Sequence, residues 1–212
     1  MTESMIGATI VSAVACAVLV YAEYARAGIL RSASKTIASL AFIAVGLLAA
    51  RGHAHGVSSP STWIVAGLIL GAVGDVALLG RGDAAFMAGL VAFLFGHIAY
   101  VVAIANIVPP LEWIGPLAII PILAGASALA WLWPHLGPMK VPVIVYVLTI
   151  VSMVVGALAV RHAVLTTGAI LFFISDLAVA RDKFVASGFT NRAWGLPCYY
   201  AGQLLIAWSL RG

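Results

Sequence analysis

Eight long stretches of Ala, Val, Leu, Ile and Gly, separated by short turns that hold almost every charge, decide what this chain can fold into. About 20 apolar residues at 1.5 Å each cross the roughly 30 Å hydrocarbon core of a bilayer. The stretches fall at about 5 to 24, 36 to 50, 61 to 79, 84 to 104, 113 to 133, 141 to 160, 163 to 180 and 195 to 210. The second is short for a full crossing. The first begins near the initiator Met, but no basic stretch precedes it, so it reads as a helix rather than a signal peptide. A membrane barrel would alternate polar and apolar residues in segments of about ten; these runs are unbroken. Composition agrees, with 64% apolar and 8% charged residues against about 25% charged in a soluble domain. The expectation is an all-α polytopic membrane bundle of about eight transmembrane helices, a single domain over 1–212.

The turns supply an orientation. Arg26, Arg31, Lys35, Arg81, Lys140, Arg181, Lys183 and Arg192 follow spans one, three, five and seven, whereas only Arg51, Arg161 and Arg211 fall on the other side. The positive-inside rule puts the first set in the cytoplasm and both termini outside. The net charge of +4 is then the inner rim of a membrane protein, and no nucleic-acid partner is expected. Short loops and a basic rim suit a bacterial plasma membrane. Trp63, Trp113, Trp131, Trp133, Trp194 and Trp208 stand near span ends, where interfacial anchors belong. Cys16 and Cys198 fall on opposite sides and read as small apolar fillers, not a disulfide.

Within this frame Asp75 and Asp176 stand out. Each lies four residues before the inner end of its span, about 6 Å inside at 1.5 Å per residue. A carboxylate in hydrocarbon costs about 2.5–3.5 kcal/mol on insertion scales, so two at one depth point to one shared site. Tyr146, Tyr199 and Tyr200 reach a similar layer, with Lys35 and Glu23 at the inner ends of spans two and one. Each residue also has a structural reading. An isolated Asp can clamp helices through Lys35 or an Arg. The tyrosines can be interfacial anchors. Gly71, Gly74, Gly89 and Gly96 can serve helix packing. His97, about 20 Å along span four, reads as a satisfied core histidine. Arg81, Arg181 and Lys183 lie where an anionic headgroup would be held.

Several segments resemble the YhhN-like lysoplasmalogenase family. Gly74-Asp75-Val76-Ala77-Leu78-Leu79, followed by Phe86, Gly89-Leu90, Phe93 and His97-x-x-Tyr100, is similar to its first signature. Gly168-Ala169-Ile170-Leu171-Phe172-Phe173-Ile174-Ser175-Asp176 is similar to the second and Tyr199-Tyr200-x-x-Gln203 to the third, with Tyr146 and Met153 also fitting. The family often opens its second span with Lys-Pro; here Lys35 precedes Thr36. The resemblance implies a multi-span hydrolase that cleaves the vinyl ether of lysoplasmalogens into a fatty aldehyde and a glycerophospho-headgroup, with Asp75 and Asp176 as the catalytic pair. It implies a lysophospholipid substrate within membrane lipid, with no cofactor or metal. Oligomeric state stays open.

Two carboxyls brought together in low dielectric do not both ionise easily, so one keeps its proton as a general acid while the other acts as base or stabilises a cation. Tyr146, Ser175, Tyr199, Tyr200 and Gln203 are expected to orient them, and Lys35, Arg81 and Arg181 to bind phosphate. Three rival readings stand beside this one. A lipid metallohydrolase needs about three zinc ligands, but His53, His55, His135 and His162 lie in loops and only His97 lies well within a span. Gly71-Ala72-Val73-Gly74-Asp75 is an imperfect GxGD protease match. A proton-coupled carrier also uses paired carboxylates, and spans three to four and seven to eight form a weak 4+4 parallel repeat, with Lys35 and Lys140 opening spans two and six. Continuous spans with the aspartates toward one face favour lipid chemistry.

Overall fold

The computed structural model describes residues 2–53 and 56–211; His55, one of the loop histidines weighed above, lies outside the described residues. Eight main helices follow one another: α1 (Thr2–Tyr24), α2 (Gly28–Ala50), α3 (Pro60–Ala77), α4 (Asp83–Ala105), α5 (Ile119–Leu132), α6 (Lys140–Val160), α7 (Ala163–Ala180) and α8 (Phe189–Trp208). Among the described residues seven segments, covering α1 to α7, are long and apolar enough to cross a membrane. The eighth helix has a polar first turn and packs against α7, α2, α1 and α3.

Six helices close a ring, each packing on the next in the order α2, α3, α4, α6, α7, α8 and back to α2. α1 lies outside it against α2 and α8, and α5 rests on α6. Because successive helices alternate in direction, α1, α3 and α7 end where α2, α4, α6 and α8 begin. That end carries the basic residues.

The links are short and locally satisfied. Arg26 turns the chain between α1 and α2 with a left-handed φ of 55°, and Arg161 does the same after α6 with φ 59°. The His162 side chain then caps α7 by accepting from the Leu165 N–H at 3.3 Å, a normal use of a polar residue at a helix start. Pro60 opens α3 at its first turn, where its missing N–H costs no intrahelical bond.

Three helix boundaries differ from the sequence expectation. α2 starts at Gly28, so Lys35 lies two turns inside the helix rather than at its end. The polar residues there are absorbed: Ser32 Oγ donates to Gly28 O at 3.2 Å and Ser34 Oγ to Leu30 O at 2.6 Å. α8 starts at Phe189 for the same reason, with Asn191 and Arg192 both partnered. Span five begins later than expected. Trp113 precedes it, directly after a 3₁₀ turn (Pro110–Glu112), 9% exposed, with Nε1 donating to Val108 O at 2.9 Å. It packs over Gly156 instead of anchoring at an interface.

Candidate active site

The ring encloses a cavity of about 740 Å³ that opens at the basic end, and Asp75, Asp176, Tyr146, Ser175, Tyr199 and Lys35 all line it. Asp75 is 2% exposed. Its Oδ1 lies 3.1 Å from Lys35 Nζ and its Oδ2 accepts from Ser39 Oγ at 2.7 Å. Tyr200 OH stands behind, 3.5 Å from Ser39 Oγ and 3.4 Å from Lys35 O. Asp75 therefore has a cation and a hydroxyl, the surroundings a carboxylate needs when removed from water.

Among the described residues no lysine or arginine pairs with Asp176. Tyr146 OH donates to its Oδ2 at 3.0 Å, and His97 Nε2 stands 3.5 Å from the same oxygen. Among the described residues no hydrogen bond joins the two carboxyls. They share a cavity but not partners.

Equal depth, as counted along the sequence, is not kept. α3 ends at Ala77, just after Asp75, whereas α7 continues through a π-helical turn, Arg181–Val185. Asp176 is thus farther from its helix end than the apolar run implied. It nonetheless meets His97, which counting along α4 had set about 20 Å from the rim.

The cavity floor is a packed layer of rings. Phe172 meets His97 at 4.5 Å and Tyr199 at 5.2 Å between centroids, and Phe93 meets Tyr199 at 5.7 Å, spacings at which edge-on aromatic contacts are favourable. Gln203, fully buried, accepts from Tyr100 OH at 2.5 Å and donates to Tyr199 OH at 3.1 Å. α3 makes room for this layer with glycines. A Cβ on Gly71 would collide with Gln203 Nε2, and one on Gly67 with the Tyr100 ring.

The mouth is a collar of ion pairs. Glu23 of α1 accepts from Arg31 Nε at 2.6 Å and from Arg192 Nη1 at 3.2 Å. Arg192 continues to Asp182 at 3.2 Å, and Arg31 donates to Leu78 O at 3.1 Å, at the end of α3. Asp182 also accepts from the Gly188 N–H at 2.8 Å, fixing the turn before α8. Arg26 and Arg81 line the mouth, exposed and without a protein partner among the described residues. On the α5 and α6 side, Leu132, Val143, Val147 and Ile150 give the cavity an apolar wall.

Asp75, Asp176, Tyr146, Tyr199 and Lys35, which the sequence reading placed together, all line this cavity. Tyr200 and Gln203 stand behind the cavity wall and touch its lining residues. Ser175 lines the cavity, but its hydroxyl bonds Phe172 O at 2.8 Å in its own helix. Arg181 is turned to Asn191 and does not line the cavity. Lys35 is 6% exposed and occupied by Asp75. Ser39, His97, Arg26 and Arg31 were not foreseen at the site. Only His97 left a signal, in the His97-x-x-Tyr100 spacing that puts both on one face of α4. Among the described residues no group of three or more His, Cys, Asp and Glu side chains converges.

The chain matches the family described as YhhN over residues 30–210. It is 33% identical over 171 residues to a protein of Mycobacterium bovis named lysoplasmalogenase, covering 76% of this chain and 64% of that relative. The match therefore spans less than two thirds of the mycobacterial protein's length. It is 37% identical over 173 residues to lysoplasmalogenase TMEM86A of Bos taurus, covering 74% of this chain and 70% of the relative. With lysoplasmalogenase TMEM86B of Homo sapiens it shares 36% identity over 158 residues, 72% of this chain and 67% of the relative. No solved structure matches.

Proposed function

The chain belongs to the YhhN family, and from that premise we propose that it is a membrane-embedded hydrolase cleaving the vinyl-ether bond of a lysoplasmalogen-type lysophospholipid. The products are a fatty aldehyde and a glycerophospho-headgroup. The observation that carries the reading is the unequal setting of two carboxyls on one cavity. Asp75 faces an ammonium at 3.1 Å, whereas Asp176 faces a phenol and an imidazole.

Vinyl-ether hydrolysis asks for that inequality. A proton must reach the β-carbon, forming an oxocarbenium ion that water then attacks. Asp176 is the proton donor in this reading, and its carboxylate then takes the proton of the attacking water. Asp75 stays ionised throughout, held by Lys35 and Ser39, and its negative charge stabilises the cation as it forms. The hemiacetal loses its O–H proton, its carbon–oxygen bond to glycerol breaks, and the departing oxygen gains a proton. Tyr146 fixes the Asp176 carboxyl for this work; the aromatic floor keeps water from approaching from behind.

The cavity fits a single-chain amphiphile. Its apolar wall receives the alkenyl chain, and Arg26 and Arg81 at the mouth receive the phosphate through charge-assisted hydrogen bonds. The role foreseen for Lys35 and Arg181 passes to these arginines. The charge asymmetry of the turns supports a cytoplasmic mouth, with both chain ends on the other side.

Aldehyde release from a synthetic vinyl-ether lysophospholipid by purified protein tests the reading. Asp176→Asn and Asp75→Asn are each expected to lose at least about 100-fold in kcat, the range of a removed acid or charge stabiliser, with unchanged helix content. A wild-type rate in either variant refutes the assignment. Liposome flux that needs both aspartates, without ether cleavage, would make the protein a carrier instead.

A further inference from the structure

One sealed polar atom at the site has no role in that chemistry. His97 is 1% exposed, and its Nδ1 lies 2.7 Å from the carbonyl oxygen of Phe93, one turn earlier on α4. A carbonyl only accepts, so Nδ1 carries a hydrogen and the neutral ring presents Nε2 as a bare lone pair. Among the described residues that buried Nε2 has no hydrogen-bond partner. It faces Asp176 Oδ2 at 3.5 Å.

Two facing lone pairs leave Nε2 unmet, and a buried acceptor left so costs about 1–3 kcal/mol. One proton between nitrogen and oxygen satisfies both. The other neighbours do not supply it. Phe172 and Tyr146 meet the imidazole edge-on, at 4.5 and 5.2 Å between centroids, and the Tyr146 hydroxyl is given to Asp176 itself at 3.0 Å. The rings and the Phe93 carbonyl fix the imidazole in orientation, so Nε2 has one direction to point. Asp176, meanwhile, lines the cavity, and among the described residues its Oδ1 has no protein hydrogen bond. The carboxyl thus has one oxygen toward the imidazole and one toward the space a substrate would fill.

We propose that His97 is a positioning residue that holds the transferable proton of Asp176, one proton being kept between Nε2 and the carboxyl in the resting protein. The role rests on the hydrolase reading for its consequence but not for its existence. His97 does not line the cavity and acts only through Asp176. Turning the carboxyl about its Cβ–Cγ bond carries the proton from the imidazole side to the cavity side, a side-chain motion far faster than a typical turnover of about 10 per second. There the O–H bond breaks as the new C–H bond forms at the β-carbon. The attacking water gives its proton back to the carboxylate, which returns to Nε2. His97 neither gains nor loses a proton over the cycle.

Two substitutions separate the halves of the imidazole. His97→Asn keeps an amide donor near Nδ1, toward Phe93 O, and deletes the acceptor at Nε2. His97→Gln places an amide oxygen near Nε2. In aldehyde release, His97→Asn is expected to lower kcat about 100-fold, the scale of an acid–base contribution, with KM within about twofold. His97→Gln should recover to within about tenfold of wild type. Infrared spectra of the ligand-free protein give a readout that does not need turnover. A protonated-carboxyl C=O band that vanishes in Asp176→Asn should shift in His97→Asn and return in His97→Gln. If wild type releases no aldehyde yet the band behaves in this way, the hydrolase reading fails and the shared proton stands. The proposal is overturned if His97→Asn turns over within about twofold of wild type, or if Asp176→Asn removes no protonated-carboxyl band.

Discussion

Lys35→Met isolates the ion pair on which the Asp75 role depends. It removes the ammonium and keeps a flexible apolar stem of similar reach. Both side chains are nearly sealed, at 8% and 3% exposed, with 3.1 Å between Nζ and Oδ1. At that separation and an effective dielectric of about 20 the attraction is about 5 kcal/mol. Ser39 still donates to Asp75 at 2.7 Å, but one hydroxyl to a charged acceptor contributes only about 1.5–3 kcal/mol. Stranding the carboxylate should therefore destabilise the fold by about 3–5 kcal/mol, as broken buried pairs do, a fall of roughly 10 °C in Tm for a chain of this size. The double variant Lys35→Met/Asp75→Asn carries neither charge, and should regain at least half of that loss while staying inactive. Thermal unfolding in one detergent, followed by circular dichroism, measures the stabilities. If Lys35→Met melts within about 2 °C of wild type, or the double variant is no more stable than Lys35→Met, the pair does not hold Asp75 as described.

Two further outcomes follow from the mouth and the floor. Arg26→Gln/Arg81→Gln should raise KM for a phosphate-bearing lysolipid about tenfold with little change in kcat, an effect that weakens as salt is added. Arg181→Gln should leave KM alone, because its guanidinium binds Asn191; the reverse ranking in a Michaelis–Menten comparison would refute the mouth assignment. Gly71→Ala puts a methyl into the Gln203 amide and should cost about 1–3 kcal/mol by overpacking, with kcat falling as Tyr199 is displaced. A Tm and kcat equal to wild type would show that the close approach is not needed.

The helix count and the pairing of Asp75 with Asp176 on one cavity were legible because both follow from hydrophobic run length and from the cost of charge in hydrocarbon. The start of α2 was not. Arg31 and Lys35 read as a helix end, since nothing in the sequence tells that Glu23 and Asp75, on two other helices, neutralise them. Arg181 was misjudged in the opposite direction. Its position by the rim was right, but a π-helical turn aims it at Asn191, and a single residue of rotation is invisible to hydropathy. His97 was missed because depth counted along one helix does not show which side chains of neighbouring helices meet it, and Asp176 does. Ser175 sits beside Asp176 in sequence, yet its hydroxyl is taken by the carbonyl three residues back, a local competition that serine often enters.

The family match begins at residue 30, so α1 lies outside it, and yet Glu23 at its end is the shared anion of Arg31 and Arg192. This first helix acts as a counter-charge delivered to the portal from outside the common segment. Deleting it, or losing that one glutamate, would leave Arg31 without its counter-charge and Arg192 with Asp182 alone, and would tilt ligand preference from zwitterionic toward strongly anionic headgroups. Selectivity at this portal is thus adjustable without altering any residue that touches the reacting bond.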